Sequence, residues 1–585
     1  MKNPILKGAL ATIMITMVTF ACKDKFLEVP ATGQLSSTQL TSKAGLDGLL
    51  LSAYAQLNGR GYDQSAASLD WVRGSISAGE ANKGSNSGDF NALTPFQNYP
   101  SMNATNAEIN FKWRSLYEGI SRANMVLRVM TTAASDVTTA DKQRITAEAR
   151  FLRGHYYFQL RRQFNMVPYV DETVDYGTGV DKVPNNVDIW PKIEADFQFA
   201  QTNLPATQDA LGRANSWAAA AYLAKTYLYE KKYAEAKALF DKVIASGTTT
   251  GGVKYALVDN YTDIFNAAKE TNSESIFADQ AAANTGSSDN ANPELNLNFP
   301  YNTGSAGPAG CCGFFVPSFE LANSFRVSTN GLPLLDGSYN SSTNQLVTDM
   351  GLASSAPFTP DAGPVDPRLD WSVGRRGIPY LDWSVHPGQD WIRDQTFAGP
   401  YSPKKFVFYK SQDKSLTDGS SWTDGYSAIN YNFIRFADVL LMAAECEVEV
   451  GSLATALNYV NMVRNRAANA TYWVKTTTGA NAANYSIKPY TSFADQATAR
   501  TAIQFERKLE LSGEGHRFYD LVRWGTAATA INAFLAYESP KLPVGYAGAK
   551  FTTGRDEYLP IPQTQIDYQA TDASGKNILA QNPGY

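Results

Sequence analysis

The run RANSWAAAAYLAKTYLYEKKYAEAKALFDKVIASG, residues 213–247, carries two apolar stripes at helical spacing. In its first half Trp217, Ala220, Ala221, Ala224, Tyr227 and Leu228 recur three and four residues apart, one face of a 3.6-residue period. The polar pair Lys231-Lys232 interrupts the stripe, which restarts at Ala236, Leu239, Phe240, Val243 and Ile244. Gly247 follows, a residue able to take positive φ and so expected to stop the second helix. Alanines let a partner helix approach closely, while Tyr and Phe fill the groove between them. The stretch reads as a helical hairpin, and one hairpin cannot bury its own face, so neighbours of the same kind are expected.

The Ala and Tyr or Phe marks are those of a tetratricopeptide-like repeat, and further helices flank it. On the N-terminal side they are expected at Leu40–Leu57, Trp113–Met130, Asp141–Phe164 and Trp190–Leu204. The third is striped by Ile145, Ala149, Leu152, Tyr156 and Leu160, and Pro168 ends it. On the C-terminal side Arg435–Val450, Gly451 and Leu453–Ala467 make a second hairpin, followed by helices at Ala499–Leu511 and Asp520–Trp524. From Gly251 to Tyr431 the chain is instead rich in Gly, Pro, Asn and Ser, yet it carries Tyr301, Phe314, Phe315, Trp371, Tyr380, Trp383, Trp391 and Trp422. A long stretch with few regular elements is either functional or disordered, and this aromatic density argues for function. The expected fold is mainly α: a tetratricopeptide-like helical-hairpin scaffold with a long, irregular, loop-rich subdomain. Its divisions are a leader at 1–21, N-terminal helices at 22–250, the loop-rich excursion at 251–431, and a C-terminal helical part and tail at 432–585.

The first residues have a separate role. Lys2 and Lys7 precede the apolar run Ala9–Phe20, and Ala21 is a small residue at a cleavage point, the pattern of a secretory signal. Cys22 stands directly after it, as in a bacterial lipoprotein whose cysteine is lipidated and becomes the new N-terminus. Cleavage would remove both lysines and take the formal charge from −5 to −7. Acyl chains contribute about 0.8 kcal/mol per buried methylene, enough for several to hold a soluble body at a membrane. No later stretch is apolar and long enough to span a bilayer. With 18% charged residues and a negative balance, nothing tracks a phosphate backbone, so nucleic acid is excluded as a partner. Cys446 lies on a helical apolar stripe and reads as a small core residue, whereas Cys311 and Cys312 leave two states open, a vicinal disulfide or two thiols. No CxxC pair is present, and neither a metal nor a cofactor is expected.

Several dispersed motifs resemble the SusD/RagB family of outer-membrane nutrient-binding lipoproteins of Bacteroidetes. They begin with Cys22, Phe26-Leu27 and Pro30, and continue with Ala147-Glu148-Ala149-Arg150-Phe151-Leu152-Arg153, Tyr156-Tyr157-Phe158 and Val167-Pro168. Asp366-Pro367-Arg368, Ile434-Arg435-Phe436-Ala437-Asp438 and Asn461…Arg464…Arg466 follow in family order. Glu506-Arg507…Glu510…Glu514-Gly515…Arg523-Trp524, Pro560-Ile561-Pro562 and the closing Gln581-Asn582-Pro583-Gly584-Tyr585 complete the likeness. The resemblance implies a tetratricopeptide-like scaffold with a looped ligand-binding subdomain, in a lipid-anchored outer-membrane protein that captures oligosaccharides at the cell surface and delivers them onward. It also implies a partner, a SusC-like TonB-dependent transporter. Relatives that capture peptides make a peptide ligand the alternative, and a tetratricopeptide-type protein-interaction module is the alternative of a different class.

Catalysis finds little support. Glu506, Glu510 and Glu514 are spaced by four, but Arg507, Arg517 and Arg523 lie among them, which reads as structural ion pairing. His155, His386 and His516 accompany no nucleophile elbow and no HExxH. No enzyme is expected. For binding, sugar rings stack their C–H faces on aromatic rings and satisfy their hydroxyls with amides, carboxylates and Arg. Phe96, Tyr99, Tyr380 and Trp383 are therefore the expected platforms, with Asn98 and Arg375 as polar partners. Trp371, inside the Asp366–Asp370 turn, is expected in the core.

Overall fold

The computed structural model describes residues 36–59, 64–292, 297–308, 310–420, 423 and 425–585. The leader, Cys22 and Trp422 lie outside the described residues.

Six helices form the N-terminal scaffold: α1 (Lys43–Ala55), α2 (Ala107–Met130), α3 (Thr139–Phe164), α4 (Trp190–Asn203), α5 (Ser216–Tyr229) and α6 (Tyr233–Ser246). Their starts are fixed by side chains that accept orphan N–H groups. Asn106 accepts from Glu108, Asn215 accepts from Ala218, and Thr138 forms a capping box with Asp141. Consecutive helices from α2 to α6 pack pairwise. The alanines of α5 from Ala218 to Ala221 are buried, and Tyr222 fills the space they leave. Its ring stacks on Phe197 of α4 at 5.0 Å and meets Phe151 of α3 edge-on at 5.3 Å. Gly119 of α2 allows the same closeness, because a Cβ there would lie 2.4 Å from the Tyr156 ring of α3.

Gly247 ends α6 differently from the expectation. Its φ is −64°, so no left-handed turn stops the helix. Glycine is required there because a Cβ would sit 2.6 Å from the Tyr255 ring, which folds back over the helix end.

The C-terminal helices are α7 (Phe436–Val450), α8 (Leu453–Ala467), α9 (Gln496–Glu510), α10 (Arg517–Arg523) and α11 (Ala527–Glu538). α7 packs on α6, so the two hairpins are neighbours, and Lys225 of α5 meets Asp438 of α7 at 3.0 Å. α11 lies beyond the helices expected from periodicity, although Ala527, Ile531, Phe534 and Leu535 form its buried stripe. No helix of the described residues is long and apolar enough to cross a membrane.

The stretch 251–431 leaves and rejoins this scaffold at one place. Strand β2 (Ser275–Asp279) pairs antiparallel with β6 (Tyr431–Arg435), setting Asp279 opposite Tyr431 and Ser275 opposite Arg435. Two other short pairs lie beyond: β1 (Ala81–Gly84) with β3 (Phe314–Pro317), and β4 (Val373–Gly374) with β5 (Ser402–Pro403). The longest helix of this stretch among the described residues has six residues, Phe319–Ser324.

A buried ion network locks the joint. Arg435 of β6 meets Glu274 at 2.7 Å, Glu510 at 2.7 Å and Glu514 at 2.8 Å. Arg368, from the excursion, meets Asp366, Glu506 and Glu510 at 2.8, 2.7 and 3.0 Å. Arg464 and Arg466 of α8 and Lys405 complete it through Glu506, Glu274, Glu510 and Glu514. These five cations and five carboxylates balance, so the burial of each charge is offset by several opposite ones. The surrounding guanidinium groups overcome the cost of burial and hold Glu510 at about 2.

Candidate ligand-binding face

The face begins where β1 ends. Gly84 lies opposite Phe314 across the β1–β3 pair. Beyond it Ser85 and Phe90 take left-handed backbone, with φ of 55° and 46°. The Asn86 side-chain oxygen accepts from the N–H groups of Gly88 at 3.1 Å and Asp89 at 2.9 Å, which makes the turn. Lys83 is buried and ties that turn from inside, donating to the carbonyls of Asn86 at 3.0 Å and of Asp89. Burial pushes the Lys83 ammonium down to about 8. Asn302 and Phe315 are also left-handed, with φ of 47° and 58°. Each such non-glycine residue costs roughly 1–3 kcal/mol, and such residues gather where a surface must hold one shape.

Arg393 and Tyr301 complete the arrangement. The Arg393 guanidinium donates to Ser85 Oγ at 2.9 Å and pairs with Asp89, and it lies 5.4 Å from the centroid of the Tyr301 ring. Ser85 Oγ in turn donates to Asp89 at 2.7 Å. Arg393 and Asp89 each keep 31% of their side-chain surface in solvent, and Tyr301 and Phe90 are half-buried. A flat ring thus stands beside a guanidinium, which is itself paired with the Asp89 carboxylate on the Asn86 turn, and groups of these kinds suit a hydroxyl-rich ring.

Beneath this surface Phe299, Tyr380, Trp391 and Val407 form a small core, with Leu381 and Trp383 against it. The Tyr301 N–H donates to the Trp391 carbonyl at 2.9 Å, which fixes the surface ring to that layer. The loop after Asn302 carries a disulfide between Cys311 and Cys312, while Cys446 is a buried free thiol.

The residues expected to bind are mostly elsewhere in this architecture. Tyr380 is 0% exposed and donates its hydroxyl to the Pro403 carbonyl, so it supports the face and offers it no ring. Phe96 is 1% exposed, within the main core. Tyr99 is 2% exposed, bonds the Ser77 carbonyl and meets Phe551 edge-on at 5.2 Å. Arg375 is buried in a two-pronged pair with Asp370, at 2.7 and 2.9 Å, leaving it no free fork for a ligand. Trp383 is half-buried, with its indole N–H donating to the Phe408 carbonyl at 3.0 Å. Asn98 is half-buried and accepts from Ser101 Oγ at 2.7 Å. These six positions therefore do not converge on one surface. Trp371, expected in the core, is half-buried and lines a cleft on the excursion.

The three histidines are buried, and burial pushes His386 and His516 down to about 3. His155 bonds the Tyr222 hydroxyl at 2.8 Å and His386 bonds Ser402 Oγ at 2.9 Å. Glu506, Glu510 and Glu514 all belong to the buried network, but through partners distant in sequence; the interleaved Arg507 and Arg523 pair instead with Asp438, Asp520 and Glu445. Among the described residues no group of three or more His, Cys, Asp or Glu side chains is arranged to hold a metal ion.

Comparison with known proteins adds a family to this geometry. The profile described as the SusD family matches residues 273–585, and one described as starch-binding, associating with outer membrane, matches residues 25–228. A SusD-like protein of Formosa agariphila is 26% identical over 534 residues, 89% of this chain and 90% of its own length. Among solved structures, a laminarin-binding SusD-like protein superposes with a TM-score of 0.64 at 25% identity, over 93% of this chain and 99% of its own. Surface glycan-binding protein A of Bacteroides thetaiotaomicron, solved with laminarihexaose, gives a TM-score of 0.64 at 21% identity, over 92% and 99%. The last likeness is one of fold.

Proposed function

The chain belongs to the SusD family, and from that premise we propose that it is an outer-membrane lipoprotein that captures oligosaccharides at the cell surface. It hands them to a SusC-like TonB-dependent transporter. The observation that carries the glycan reading is the face of Tyr301, Arg393, Asp89 and Asn86, set on a rigid aromatic layer. The laminarin-binding relative supports it from outside. Arg393 and Asp89 neutralise each other, so the ligand that fits is neutral or weakly charged: its C–H face lies on Tyr301 and its hydroxyls meet the guanidinium, carboxylate and amide. Binding without catalysis is the reading, because the carboxylates spaced along Glu506–Glu514 are engaged by arginine and lysine.

Calorimetry of the soluble body, residues 23–585, against laminarin, starch, cellulose oligomers and a peptide pool tests this. Saturable heat with at least one glycan and none with the peptides is the expected result. Heat with peptides alone would replace the glycan reading by the peptide one.

A further inference from the structure

We propose that a second glycan-binding cleft lies between the excursion and the loop after α8, separate from the face of Tyr301 and Arg393. The proposal rests on the glycan reading above. The cleft measures about 320 Å³, near the small end of the roughly 300–1,000 Å³ of ligand sites, which suits a short stretch of a chain. Four segments distant in sequence build it, and three of them bring four half-buried rings together: Trp371, Tyr409, Tyr472 and Trp473.

The two indoles are fixed by contacts with their surroundings. Trp473 donates its indole N–H to the Ala467 carbonyl at 2.9 Å and packs edge-on against Tyr485 at 5.5 Å. Trp371 has the Lys404 ammonium 5.6 Å from its ring centroid, and that ammonium is fixed by the carbonyls of Asp370 and Pro379. Leu381, on the cleft wall, takes left-handed backbone with a φ of 50°, which sets the neighbouring Asp382 at the rim. The Asp382 carboxylate accepts from the N–H groups of Lys410 and Ser411 at 2.5 and 2.9 Å and is exposed, so each oxygen keeps a free lone pair. The Trp371 indole N–H and the Tyr472 hydroxyl donate to no protein group among the described residues. Ring faces, two unspent donors and an ordered acceptor on one concavity are what a neutral pyranose requires. An apolar peptide side chain would use the rings and leave those polar groups unmatched.

The test is calorimetry of residues 23–585 with laminarihexaose, maltohexaose and cellohexaose. It compares wild type, the Tyr301→Ala/Arg393→Ala double variant, Tyr472→Ala, and the three substitutions together. Tyr472 sits in a short turn with its hydroxyl free, so its loss should leave the melting temperature unchanged, and Tyr472→Phe keeps the ring as a control. For a hexaose that binds, residual binding is expected in the double variant. Adding Tyr472→Ala should weaken that residual binding about tenfold, the size of one lost stack, while Tyr472→Phe costs less. If Tyr472→Ala leaves both backgrounds unchanged while wild type binds, the cleft is not a glycan site and the first face alone stands. If no hexaose binds wild type, the glycan reading falls and this inference falls with it.

Discussion

Replacing Arg435 by methionine should destabilise the fold by about 3 kcal/mol and leave the ligand face in place. The side chain is 1% exposed and makes charge-assisted bonds to Glu274, Glu510 and Glu514 within 2.7–2.8 Å. Its removal leaves a buried cluster with one uncompensated negative charge, and breaking a buried pair costs roughly 3–5 kcal/mol. The lower end applies because every carboxylate keeps a partner. Glu514 retains Lys405 at 2.8 Å, Glu510 retains Arg368 at 3.0 Å as well as Arg466, and Glu274 retains Arg466 at 3.3 Å. Equilibrium unfolding in urea, followed by tryptophan emission and far-ultraviolet dichroism, measures the loss. A native spectrum without denaturant and a lower midpoint are expected. A change under about 1 kcal/mol, the range of surface pairs, would refute the view that this network locks the excursion to the scaffold.

Three further outcomes concern residues outside that network. Burial raises Glu80, Asp279 and Glu538 to about 7, so the folded state keeps protons that the unfolded chain releases near pH 4. Their contribution is present below that pH and is lost as pH rises through 7. Glu538→Gln, neutral throughout, should therefore flatten the fall in melting temperature between pH 5 and 8, and parallel profiles would contradict this. Tyr380→Phe should cost about 1 kcal/mol for the bond to the Pro403 carbonyl and leave glycan affinity within twofold; a tenfold loss by calorimetry would move the ring into the site. Cys22→Ala should release the protein from the outer-membrane fraction, and retention through the same extraction would remove the lipid anchor from the account.

The helical scaffold was legible because the 3.6-residue period of Ala, Tyr and Leu survives any context, as α8, expected and found at Leu453–Ala467, illustrates. The face was not, because loops have no period. Tyr301 and Tyr380 are both tyrosines in Gly- and Pro-bearing sequence, and only long-range packing decides which ring is on the surface. Tyr380 is covered by Trp391 at 5.5 Å, whereas Tyr301 lies above that layer beside Arg393. The arginines differ in the same way. Arg375 pairs with Asp370 five residues away, a local contact that removes it from binding. Arg393 finds Asp89 across 304 residues, a juxtaposition that composition and spacing do not encode. The structural role of the acidic run at Glu506–Glu514 was readable from the charges around it, but its partners were not: Arg368, Arg435, Arg464 and Arg466 come from 42 to 142 residues away.

The measurement that bears most directly on the account is the affinity of the Tyr301→Ala variant for the glycan that binds the wild-type body, read by calorimetry beside Arg393→Ala. Both side chains are partly exposed and sit outside the buried network, so both variants should melt as wild type does. Loss of the ring should weaken binding about tenfold, and loss of the guanidinium should also weaken it. Unchanged affinity in both variants, with the fold intact, would contradict the assignment of this face as the glycan site.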